Sequence, residues 1–251
     1  MIRRAAISII FFIFSCCLHN VARAQSFDIE SLDGVKTKIV LSHELASGIL
    51  AISHFKDTIF INEFMDIEEV HVLKGKFLQV VYEVRTGSDQ NLIQLVLLCV
   101  NDGKLYQAMH VESYLSYDID KVWDKKADSL KLFDEHGLYE LKLNLLGNDK
   151  SSFKLVVDIH NESKSKHDPK TDQNYNKKVT LGFDTLRNIF YSDYKDMSQY
   201  FNIYDPKSGK ISKQYMMGKY PVIILAESCY CNIKGEWFGM SEDKLFKYSY
   251  K

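Results

Sequence analysis

Proline, tryptophan and free charge of one sign are all scarce in this chain. Only Pro169, Pro206 and Pro221 occur in 251 residues, so no proline-rich linker divides it. Lysine plus arginine (32) nearly balance aspartate plus glutamate (33), which excludes the concentrated basic face that nucleic acid needs. There is no G-x-S-x-G elbow, H-E-x-x-H pair, Walker loop or Rossmann glycine fingerprint. Lys207-Ser208-Gly209-Lys210, after Asp205-Pro206, lacks phosphate-loop spacing and reads as a β-turn. A hydrophobic content of 46% is ample for a packed core and excludes global disorder.

The one long apolar run lies at the start. Arg3 and Arg4 precede Ala5–Phe14, and Ala22-Arg23-Ala24 supplies a small-x-small cleavage site before Gln25. This is the layout of a secretory signal peptide. Ala5–Leu18 is shorter than the roughly 18 or more apolar residues of a membrane span. A rival reading takes Cys16, after Ile13-Phe14-Ser15, as a lipid-anchoring cysteine, although that context departs from a lipobox. The expected organisation is a leader over 1–24 and an exported body over 25–251, in the periplasm or outside the cell. The leader holds Arg3, Arg4 and Arg23 and no acid, so its loss takes 32 basic residues to 29 against 33 acidic ones, a net charge of −4.

Cysteine is sparse as well. Cys16 and Cys17 belong to the leader, leaving Cys99, Cys229 and Cys231. An odd number permits at most one internal disulfide, joining Cys99 to Cys229 or Cys231, since two cysteines on one strand face bridge badly. A buried thiol is the simpler state for Cys99, inside Leu95-Val96-Leu97-Leu98-Cys99-Val100. The second cysteine pair of a zinc knuckle is missing.

What is present is alternation. Tyr139, Leu141, Leu143 and Leu145 alternate with Glu140, Lys142 and Asn144, and Phe153, Leu155, Val157 and Ile159 do the same beyond the turn Gly147-Asn148-Asp149-Lys150. Leu78–Arg85 repeats the pattern. Asn91–Asn101 and Lys104–Glu112 flank Asp102-Gly103, the strongest short hairpin signal. Further strands are expected at 36–41, 49–55, 58–63, 68–73, 130–133, 179–183, 200–204, 211–217, 222–229 and 245–250. About fifteen strands with turns every 8–12 residues predict an all-β fold of antiparallel hairpins, sandwich-like or barrel-like, with a propeller as the lesser alternative. Residues 77–101 and 138–161 share a rhythm that amounts to a weak internal repeat. Ile119, Val122, Trp123 and Ala127 have helical spacing, which predicts one short helix over Tyr117–Lys126. Polar Ser113–Asp128 is the candidate for any subdivision, and Glu162–Lys178 reads as a long exposed loop.

Three patterns could carry function. Glu69/His71, His110/Glu112 and Asp158/His160 are each two apart, so on strands each pair projects from one face. Brought together, they would make a divalent-metal site or an acid/base cluster, the basis of a metal-dependent hydrolase reading. Singly, they are what a wet strand face carries. Ten of fifteen tyrosines lie from Tyr175 onward, and Trp237 stands in Gly235-Glu236-Trp237-Phe238-Gly239, where a turn would expose it. Exposed rings are platforms for sugars, which makes a carbohydrate-binding module the second alternative. Asp57-Thr58-Ile59, Asp128-Ser129-Leu130 and Asp184-Thr185-Leu186 resemble acceptors that some bacteria O-glycosylate on exported proteins, and Asn161-Glu162-Ser163 matches an N-glycosylation acceptor. The leading expectation is an exported envelope protein that binds or scaffolds, with no cofactor, no nucleic-acid partner and an extracellular or envelope ligand such as a glycan.

Overall fold

The computed structural model describes residues 23–44, 48–53, 56–61, 64–84, 90–124, 129–166, 169–197, 200–204, 210–215, 217–226, 228–241, 244–247 and 249–250. Most of the leader, Cys16 included, lies outside them. The fold is all-β, in three sheets. The first holds β1 (Arg23–Glu30), β2 (Lys36–Glu44), β3 (Gly48–Ser53), β4 (Thr58–Ile61) and, at its far edge, β20 (Ser249–Tyr250). The second is an eight-stranded meander of β5 (Phe64–Leu73), β6 (Phe77–Val84), β7 (Gln90–Asn101), β8 (Lys104–Asp124), β9 (Ser129–Leu146), β10 (Lys154–Ser165), β11 (Gln173–Asp184) and β12 (Ile189–Tyr191). The third holds β13 (Asp193–Asp196), β14 (Tyr200–Tyr204), β15 (Ile211–Tyr215), β16 (Lys219–Leu225), β17 (Ser228–Ile233), β18 (Glu236–Ser241) and β19 (Lys244–Lys247), in the order β13-β16-β17-β18-β19-β14-β15. Among the described strands every pairing is antiparallel except β14 with β19. No helix among the described residues is long and apolar enough to cross a membrane.

The unbroken apolar run of β7 has a direct structural cause, because both of its faces are covered. Val96, Leu98 and Val100 join Leu78, Val80 and Tyr82 against Ile39, Leu41, Ile49 and Ile59 of the first sheet. Leu95, Leu97 and Cys99 face the opposite way, into the largest cluster. There the meander folds onto itself, and Phe77 of β6 meets the rings of Phe153, Phe183 and Phe190 at centroid separations of 5.2, 5.8 and 5.4 Å. The third sheet closes this cluster with Ile223, Leu225, Tyr230 and Trp237, while Val222, Cys231 and Phe238 alternate to its other face. Asp102 (φ 48°) and Gly103 (φ 72°) form the β7–β8 turn, with the paired positive φ of a type I′ hairpin.

Two expectations are corrected here. Over 117–124 the expected helix is strand instead, since β8 continues to Asp124 and pairs with β9 (Val122 with Lys131, Trp123 with Leu130), while Lys125 and Lys126 lie outside the described residues. A register shift between Ile119 and Lys121 breaks the period of two, and that break imitates helical spacing. Glu162–Lys178 is not a long loop. β10 reaches Ser165 and β11 starts at Gln173, paired Asn161 with Tyr175 and Ser163 with Gln173, around a 3-10 turn at Pro169–Thr171. These strand ends escape a hydrophobic pattern because they lie beyond the apolar core. Ser113–Asp124 likewise forms part of a paired ribbon.

Candidate functional site

The meander order decides the fate of the three histidine–carboxylate pairs. β6 and β7 separate β5 from β8, and β9 separates β8 from β10. Glu69 and His71 touch on edge strand β5 (Oε2 to Nε2, 3.1 Å), with both side chains more than half exposed. Asp158 pairs with Lys178 at 3.0 Å, and His160 Nδ1 lies 3.0 Å from Asn176 Oδ1. His110 is wholly buried. Its Nε2 lies 2.7 Å from Tyr82 Oη and 3.1 Å from Gln94 Oε1, and its Nδ1 lies 3.3 Å from Gln107 Oε1. Burial pushes its pKa down to about 3, so the imidazole is neutral. The convergence of Glu69, His71, His110, Glu112, Asp158 and His160 that a metal or acid/base site would need therefore does not occur. Among the described residues no group of three or more His, Cys, Asp or Glu is placed to hold a metal ion.

Trp237 is also corrected. The β17–β18 turn is Lys234-Gly235, and Trp237 lies past it within β18, fully buried, its Nε1–H donating to the Gln107 carbonyl at 2.9 Å. A ring with no exposed face cannot stack on a ligand. The disulfide that the cysteine count permits is not formed, and Cys99, Cys229 and Cys231 are free thiols, as the simpler reading of Cys99 had it. Cys99 sits in the main core beside the Asn188 carbonyl, whereas Cys231 packs on the far face of the third sheet. Burial pushes all three thiols up, Cys231 to about 12, which disfavours the reactive thiolate form.

The Asp-Thr-apolar triplets find a structural account. Asp57 Oδ2 accepts from the Leu105 amide at 2.8 Å. Asp184 accepts from the Leu186 and Arg187 amides (2.9 and 3.0 Å), from Arg187 Nη1 (2.9 Å) and from the Tyr194 hydroxyl. Burial acts to raise the Asp184 carboxyl, but these donors outweigh it and hold the pKa below the usual value. Asp184 locks its own turn, whereas Asp57 ties its segment to the start of β8, and in both triplets the threonine is exposed. Asp128 lies outside the described residues. Asn161 of the N-glycosylation match is half-buried, its amide donating to Gln173 Oε1 at 3.0 Å.

Polar chemistry gathers instead where β8, β9, β10 and β11 run past the core. One face is wet. Tyr114, Glu140, His160 and Asn176 form one row across the four strands, and Lys142, Asp158 and Lys178 the next across β9–β11. An open groove of about 330 Å³ lies over these rows, and a second borders His136, Leu138 and Lys164. Lys142 pairs with Glu140, Lys178 with Asp158 and Lys164 with Glu162, and His136 Nδ1 lies 2.9 Å from Asp118 Oδ1. The other face carries Leu115, Tyr139, Asn161 and Tyr175 in one row, and Tyr117, Gly137, Ser163 and Gln173 in the next. No single strand reveals this second set, because the row exists only once four strands are in register. No family model matches the chain, and no curated protein and no solved structure is similar to it.

Proposed function

We propose that this chain is an exported protein that binds a ligand or partner outside the cytosol, with the β8–β11 region as its recognition surface, and that it does no chemistry there. The observation that carries this reading is the state of the ionisable groups. On the wet face the carboxylates are matched by lysines in open ion pairs, and the buried imidazole of His110 is spent within the core. General acid/base work favours a carboxylate or histidine in a water-excluding cleft, poised by its neighbours. Open polar surface on rigid strands is suited to recognition.

Export rests on the leader. Cleavage before Gln25 would remove two of the eight β1–β2 register pairs and keep those from Gln25–Leu41 to Glu30–Lys36, so the body would keep its edge strand. Expressed with its leader in a bacterial host, the protein is expected outside the cytosol with Gln25 first by peptide mass, and to co-sediment with isolated cell-envelope material. Intact Met1 in the cytosol, or a soluble fraction unchanged by envelope material, contradicts the proposal.

A further inference from the structure

The core-facing rows of β8–β11 have a composition that a structural role does not require. Moving from the core along this face, leucine and valine give way to Tyr139, Tyr175 and Tyr117 interleaved with Asn161, Gln173 and Ser163, all half-buried. Tyr139 and Tyr175 rest against the edge of the main core, which fixes one side of each ring. Tyr117 lies over Gly137, where a Cβ would collide with its ring, so that ring is also seated. Asn161 Nδ2 donates to Gln173 Oε1 at 3.0 Å, holding two planar amides in the gap. The Tyr139 hydroxyl is buried and has no hydrogen-bond partner among the described residues. Tyr139 therefore hides its polar tip, and what it leaves to solvent is the rest of the residue. Burial raises its phenol, with Glu112 and then Tyr175 adding to the effect.

We infer that this face is a binding site for a neutral glycan chain, with Tyr139 and Tyr175 as stacking platforms and Asn161 and Gln173 as hydrogen-bonding groups. Aromatic rings match the C–H faces of pyranoses, and planar amides match their neighbouring hydroxyls. Tyr139 and Tyr175 occupy one row two strands apart, about 10 Å at ordinary strand spacing. That separation is close to the length of a disaccharide, so the two rings address alternate sugars of an extended chain. A protein partner would be favoured by a free apolar pocket or by unmatched charge, and neither feature is prominent in these rows. The inference rests on the binding function proposed above and names its ligand class.

The test titrates the purified processed protein with neutral linear hexasaccharides of glucose, xylose, mannose and N-acetylglucosamine, by calorimetry and saturation-transfer NMR. At least one is expected to bind with Kd below about 1 mM. Tyr175→Ala and Gln173→Ala, checked for folding by circular dichroism, are each expected to weaken it about tenfold or more. Tyr139→Phe, which keeps the ring, retains binding, and Lys38→Ala on the first sheet leaves it unchanged. No response to any of the sugars at about 10 mM overturns the inference, as does binding lost in Lys38→Ala but kept in Tyr175→Ala. A silent sugar panel with co-sedimentation intact sinks only the glycan site; loss of both sinks the binding function as well.

Discussion

His110 shows how one buried residue can set the acid limit of the whole fold. In the folded protein it stays neutral down to about pH 3, because burial disfavours its charge. In the unfolded chain an imidazole takes up its proton near 6.5. Its contribution is therefore complete above about pH 6.5 and is lost as pH falls toward about 3, at up to about 1.4 kcal/mol per pH unit. Urea titrations across this range should show the decline, and His110→Gln, which keeps a hydrogen-bonding side chain but cannot titrate, should flatten it. A slope unchanged by the substitution would refute this role. Asp184 gives a second test at the same scale. Asp184→Ala removes the acceptor of four donors from one turn and is expected to cost about 2 kcal/mol, read from the denaturation midpoint. Legibility at this scale was uneven. The buried state of Cys99 could be read from its apolar neighbours on both sides. Trp237 could not be placed, because Gly235 marks a turn without saying which way the residue two positions later will point.

Strand by strand, the hydrophobic pattern tells how many faces are covered, and the energetic cost of truncation should follow it. On β7 both faces are buried, so Leu97→Ala and Leu98→Ala, adjacent and pointing opposite ways, are each expected to cost about 2–5 kcal/mol. On β10 only one face is dry. There Leu155→Ala should cost a comparable amount while the neighbouring Lys154→Ala stays within about 0.5 kcal/mol. Equal effects at 154 and 155 would overturn the burial assigned to that strand. The hairpins around Asp102-Gly103 and Gly147–Lys150 were legible because turn chemistry and alternation agree. The outer ends of β10 and β11 were not. Their residues Glu162, Asn174, Asn176 and Lys178 look like loop because one face is solvated and the other is tyrosine and amide rather than aliphatic. The register shift in β8 misled for a different reason, since one irregular step turns a period of two into something close to a helical repeat.

Across the molecule, the eight-stranded sheet serves two purposes in different parts of its length. Its β6–β8 portion is enclosed by the first sheet on one face and by the fold-back and third sheet on the other. Its β8–β11 portion, beyond the apolar core, carries polar and aromatic side chains on both faces. All-β architecture follows from the spread of alternating segments, and the sequence points to that class plainly. How three sheets stack, and which strands line up Tyr139 with Asn161 and Tyr175, depends on long-range pairing that no local pattern encodes. A rigid, doubly covered support with a polar extension suits the recognition role proposed above, since binding surfaces gain from groups that are already held in place. The most direct test is amide hydrogen exchange on the processed protein with and without isolated envelope material. New protection at 114–118, 136–142, 158–164 and 173–178 is the result expected here. Protection confined to the first or third sheet, or none anywhere, would contradict it.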